Sequence, residues 1–108
     1  MLRYIKKEKG KNMSQTELTE LWDSIESIIY SSTKEEGKIA FNRLKVKIAK
    51  IQTTINNPYL KNKLNEVISY ALEASGRVSH KEHMSNCAQT SWYVFENGVL
   101  AKNRKESL

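Results

Sequence analysis

His80, His83 and Cys87 stand three and four residues apart, so one side of a helix would carry two imidazoles and a thiol, donors that suit zinc. A tetrahedral site needs a fourth ligand, and the chain holds no further His or Cys. The plainer alternative is that Cys87 packs as a small apolar side chain while both histidines sit near the exposed start of a helix. The same residues could form a Cys–His nucleophile pair one turn apart, but no Gly-rich turn or oxyanion donor stands near them. Glu17, Glu20, Asp23 and Glu26 read as the solvated side of a helix rather than a catalytic pair, and the Glu-x-x-His of di-iron bundles is absent. The expectation is a non-enzyme with no catalytic residue, no metal and no cofactor.

Cations offer a second chemistry. The chain carries a net charge of +6, which invites a nucleic-acid or anionic-surface partner. Its distribution matters more than its total. Residues 1–13 hold Arg3, Lys6, Lys7, Lys9 and Lys11 against Glu8, and residues 14–32 hold only acids. Lys34, Lys38, Arg43, Lys45, Lys47 and Lys50 then face Glu35 and Glu36, and Lys102, Arg104 and Lys105 lie near the end. Much of the excess sits at the two ends, and an acidic first helix and a basic second one can complement each other inside a fold. The basic run could follow a phosphate backbone, or it could be the solvated face of an amphipathic helix. Helix-turn-helix recognition needs a short second helix after a tight turn, and the helical segments here are longer.

Four helices must position these groups. Ser14 to Glu17 and Thr33 to Glu36 read as capping boxes, as does Ser79 to Glu82. Leu18, Leu21, Trp22, Ile25, Ile28 and Ile29 follow the first box at helical spacing, giving a helix to about Tyr30. The second runs until Asn56, Asn57 and Pro58 stop it, with Gly37 in its first turns where a neighbour could approach closely. Asn57-Pro58 also starts the third helix, with Leu60, Leu64, Val67, Ile68, Ala71 and Leu72 as its stripe and Gly76 at its end. The fourth carries Met84, Cys87, Ala88, Ser91, Trp92 and Phe95 and closes at Gly98. Short connections predict an all-α, single-domain antiparallel four-helix bundle over residues 14–100. A disordered basic arm at 1–13 and a flexible tail at 101–108 flank it. No apolar run approaches the roughly 20 residues that span a bilayer, and the first residues lack a secretory signal, so a cytoplasmic location is expected.

The second helix has two apolar sides. Phe41, Leu44, Ile48, Ile51 and Ile55 form one stripe. Ile39 and Val46 fall nearly opposite, continued by Thr53 and flanked by Lys38, Arg43, Lys47 and Lys50. A second apolar side predicts something to pack against, either a protein partner or a second copy forming a homodimer. Trp22 and Trp92 belong to the core stripes, whereas Tyr93 is placed opposite the core face of the fourth helix. The candidate partner-binding residues are Ile39, Arg43, Val46, Lys47, Lys50 and Tyr93, with the tail cations.

An Asn-Pro break precedes a Leu-rich third helix in INNPYLKNKLNEVISYAL, within a short basic chain of four predicted helices that ends in Gly plus a polar tail. In these features the chain resembles the small four-helix bacterial immunity proteins that protect producers of pediocin-like bacteriocins. The resemblance spans Ser14 to Leu108 as an architecture. It implies a cytosolic, non-catalytic protein that neutralises a toxin by binding it or its receptor. No aligned motif carries family residues across. The alternative from another class is a basic nucleic-acid-binding regulator of plasmid or phage type.

Overall fold

Side-chain oxygens immediately upstream set where the first three helices begin. The computed structural model describes residues 13–107, with side chains through residue 101. Helix α1 spans Gln15–Ile29. The Ser14 hydroxyl accepts from the Glu17 amide at 3.1 Å and the Glu17 carboxylate accepts from the Ser14 amide at 2.9 Å, the reciprocal box its sequence suggests. Helix α2 spans Lys34–Thr54. Thr33 Oγ1 accepts from the Glu36 amide at 3.0 Å, but the Glu36 carboxylate reaches one residue further back, to the Ser32 amide at 3.1 Å. Helix α3 spans Pro58–Ala74, with Asn57 Oδ1 accepting from the Tyr59 amide at 2.9 Å and Pro58 first, where its missing N–H costs nothing.

Helix α4, Lys81–Ser107, departs from expectation at both ends. The Ser79–Glu82 box does not form. His80 takes a left-handed conformation with φ of 61°, and its carbonyl receives the first helical bond, from the Met84 amide at 3.1 Å. Nor does the helix close at Gly98; it continues to Ser107, so the segment expected as a tail from residue 101 is helical that far. Gly98 serves packing instead. A Cβ there would collide with Leu60 Cδ2, so the missing side chain lets α3 seat its first turn on α4.

The core draws on all four helices. Leu18, Leu21, Ile25 and Ile28 of α1 are sealed from solvent, as are Leu64, Val67, Ala71 and Ala74 of α3 and Ala88 and Phe95 of α4. Trp92 lies between two rings, with centroids 5.4 Å from Trp22 and 5.4 Å from Phe95. Helix α2 sits shallower. Its core residues Leu44, Ile48 and Ile51 stay 6 to 9 % exposed, and Phe41 is only partly covered. Met13, assigned by sequence to the arm, is buried in the core, so that boundary moves; residues 1–12 of the expected arm lie outside the described residues. Helices α3 and α4 share the most extensive interface.

One end of the bundle gathers the last turns of α1 and α3 with the first turns of α2 and α4. The Gly76 amide donates to Ser31 O at 3.2 Å, and Gly37 leaves room for Ser75, whose side chain would overlap any Cβ at that position. Cations satisfy the carbonyls that terminate α1 and α3. Lys34 Nζ donates to Leu72 O at 2.7 Å and to Glu73 O at 2.9 Å. Lys81 Nζ donates to Ala74 O at 3.0 Å and also to Ile29 O, tying α4 to both helix ends, with the Tyr30 ring 5.6 Å away. Burial, and then the neighbouring Lys34 ammonium, hold Lys81 below its ordinary pKa. Lys81→Met keeps the stem but removes the ammonium donor from Ile29 O and from Ala74 O, the latter keeping the Arg77 amide. It is expected to lower the urea midpoint at unchanged m-value, by about 1–3 kcal/mol of stability.

Candidate functional site

Two apolar lines of the same helical period run along opposite sides of α2, and the outer one forms its exposed face. Leu44, Ile48 and Ile51 turn toward the core, and at about 100° per residue Ile39, Val46 and Thr53 must then point away from it. Ile39 is 52 % exposed and Val46 68 % exposed. Asn42, Ala49 and Thr53 are also exposed, and with Ile39 and Val46 they make one line at alternating three- and four-residue steps. Lys38 and Lys45 border this line on one side, Arg43 and Lys50 on the other, with Lys47 beyond them.

Two shallow grooves run between α2 and α1 beside this line. One, of about 310 Å³, is lined by Ser24, Ser27, Ala40, Arg43, Leu44 and Lys47. The next brings Lys47 and Lys50 to the same walls as Glu17 and Glu20. Sequence suggested that the acidic first helix and basic second one complement each other inside the fold. Among the described residues the ion pairs are instead Lys63–Glu66 at 3.1 Å and Arg77–Glu73 at 2.8 Å, and none joins α1 to α2.

The cations therefore fall into two groups. Lys34 and Lys81 hold helix ends, Arg77 binds the Glu73 carbonyl and carboxylate, and Lys63 binds Glu66. The Glu66 carboxyl is held below its ordinary pKa by the hydrogen bond from Lys63 and then by that from Ser91; Arg77, and then Lys34, does the same to Glu73. Lys38, Arg43, Lys45, Lys47 and Lys50 of α2, and Lys61 of α3, make no side-chain hydrogen bond or ion pair among the described residues. Folding uses the first group and leaves the second for solvent or a partner.

The other candidates do not join this face. Tyr93 is 52 % exposed but rides on α4, which packs chiefly on α3 and has little contact with α2. The side chains of Lys102, Arg104 and Lys105 lie outside those described. His83 Nε2 stands 3.8 Å from Cys87 Sγ, with His83 exposed and Cys87 half-buried. Among the described residues no group of three or more His, Cys, Asp or Glu side chains could hold a metal ion. None of the helices described is long and apolar enough to cross a membrane.

Sequence reasoning missed a groove of about 520 Å³ between α1 and α4, lined among others by Trp22, Tyr30, Val78 and Lys81. Val78 at 98 % and Tyr30 at 65 % are the exposed apolar residues of its rim. Both flank helix ends, where helical period carries no signal. Buried Ser85 Oγ, on the same groove, has no hydrogen-bond partner among the described residues. Compared with known families, curated proteins and solved structures, the chain shows no match.

Proposed function

We propose that this chain is a small, non-enzymatic bacterial protein-binding module whose contact surface is the outer face of α2, and that its use is immunity, neutralising a toxin or bacteriocin by binding it or its receptor. One observation supports the binding reading above others: Ile39 and Val46 stand exposed in a line bordered by cations that the fold does not employ. Apolar surface in such a place gains free energy only when a partner covers it, at roughly 25 cal/mol per Å². The immunity use comes from the resemblance of its four-helix architecture and not from this face.

Those same cations favour one second reading, a nucleic-acid-binding regulator that lays a phosphate backbone along α2. Salt separates the two. If Lys38, Arg43, Lys45, Lys47 and Lys50 neutralised phosphates, the affinity for random-sequence duplex would fall with log salt at a slope of about −4 to −5. The protein-binding reading expects duplex binding to be negligible at about 150 mM salt, measured by fluorescence anisotropy on the full chain. Tight duplex binding at that salt, with the steep slope, would sink it.

A further inference from the structure

The proposed protein-binding role leaves the partner's chemistry open, and the charges around the seam narrow it. Resting on that role, we infer that the outer face of α2 receives an acidic amphipathic helix and not a second copy of this chain. In heptad terms Ile39, Val46 and Thr53 occupy a positions and Asn42 and Ala49 occupy d positions. Lys38 and Lys45 then fall at g, Arg43 and Lys50 at e. Four of the six flanking positions in α2 are cationic, with Glu36 at e near the start of the helix and Gln52 at g near its end, and none of the four cations is neutralised within the described fold.

A second α2 would meet this arrangement badly in either direction. Parallel pairing opposes g to e and sets Lys38 against Arg43 and Lys45 against Lys50. Reversed pairing opposes g to g and e to e, which sets Arg43 against Arg43 and Lys45 against Lys45 at the centre of the seam, with Glu36 against Lys50 the one contact of unlike charge. The exposed side of α1 in a second copy offers Glu17, Glu20 and Asp23, but its exposed neighbours are Thr16, Thr19 and Ser27, so nothing apolar there covers Ile39 and Val46. A phosphate strand would satisfy the cations and leave both apolar side chains uncovered.

A helix with large apolar residues at a and d and Glu or Asp at e and g meets both demands. Its larger side chains fit opposite the small Asn42 and Ala49, and α2, at 21 residues, is long enough to align with about three heptads. Beside Arg43 and Lys47, the groove walled by Ser24, Ser27 and Ala40 gives its acids room to approach from the α1 side. Like-charge repulsion selects against self-pairing, and opposite charge selects the partner.

The test titrates the full chain into three labelled probes: a three-heptad peptide with Leu at a and d and Glu at e and g, the same peptide with Lys at e and g, and a random-sequence duplex. The glutamate peptide repels itself and stays single, so its anisotropy reports binding to this chain. At about 150 mM salt the glutamate peptide is expected to bind at least about 30-fold more tightly than the lysine peptide, and Val46→Glu to weaken it by about 10-fold or more. Reversing Lys38, Arg43, Lys45 and Lys50 to glutamate, with ellipticity checked for an intact fold, should exchange the preference. Failure of the glutamate peptide to bind would overturn the inference, as would Val46-dependent self-association by sedimentation. If the lysine peptide binds equally well through Val46, the acidic partner falls while the protein-binding reading stands. Binding of the duplex alone overturns both.

Discussion

Gly76→Val is expected to destabilise the fold by about 3 kcal/mol or more, a large share of the roughly 5–15 kcal/mol that holds a typical domain together. Two independent causes add. Gly76 has φ of 71°, a conformation that costs an L-residue roughly 1–2 kcal/mol and a β-branched one more. Its Cβ would also lie 2.5 Å from Lys34 N and 2.7 Å from Thr33 C, backbone atoms at the start of α2 that cannot turn aside as a side chain would. Overpacking of that kind costs about 1–3 kcal/mol. Gly76→Asn separates the causes, since asparagine tolerates positive φ but still carries the Cβ. Urea unfolding with an unchanged m-value measures both variants, and a shift in Gly76→Val below about 0.5 kcal/mol would show that the junction is looser than described.

The paired substitution Ile39→Glu with Val46→Glu should do the opposite, sparing the fold and destroying the function. Both side chains are more than half exposed, and exposed replacements of this kind stay within about 0.5 kcal/mol each. Binding to an acidic helical partner should fall by at least about 100-fold, because each change removes an apolar contact and sets a carboxylate against the partner's own acids. The residues are two turns apart on one helix, so their separate effects should roughly add. Thermal unfolding and peptide anisotropy on the same preparation read the two consequences. If the double variant unfolds, the outer line of α2 is structural and the binding account is wrong.

What could be read from sequence was whatever depends on neighbours along the chain. Ser14, Thr33 and Asn57 cap helices through oxygens two or three residues from the amides they accept from, so those starts were legible. The exposed position of Ile39 and Val46 followed from period alone. Ser79 offers the same local chemistry and misleads, because the chain enters α4 through His80 at positive φ, and Lys81, which follows, bonds carbonyls of α1 and α3. No local rule anticipates that. Gly98 misleads for a related reason: a glycine that ends a helix and one that admits Leu60 of another helix look alike in sequence. Phe41 lies on the predicted core stripe yet stays half-buried, since the depth at which α2 sits is set by the other helices. The divided roles of the cations were invisible for the same reason, because Lys34 finds its acceptors at Leu72 and Glu73, on α3.

The central claim is that the cationic, apolar-centred outer face of α2 is where this chain meets a helical protein partner. Amide chemical-shift mapping of the isotope-labelled full chain, titrated with the glutamate heptad peptide, tests it most directly. The account predicts shifts concentrated on Lys38, Ile39, Asn42, Arg43, Lys45, Val46, Ala49, Lys50 and Thr53, with α3 and the outer side of α4 around Tyr93 undisturbed. Shifts centred instead on Trp22, Tyr30, Val78 and Lys81 would move the binding surface to the α1–α4 groove, and no shifts at all would remove the claim.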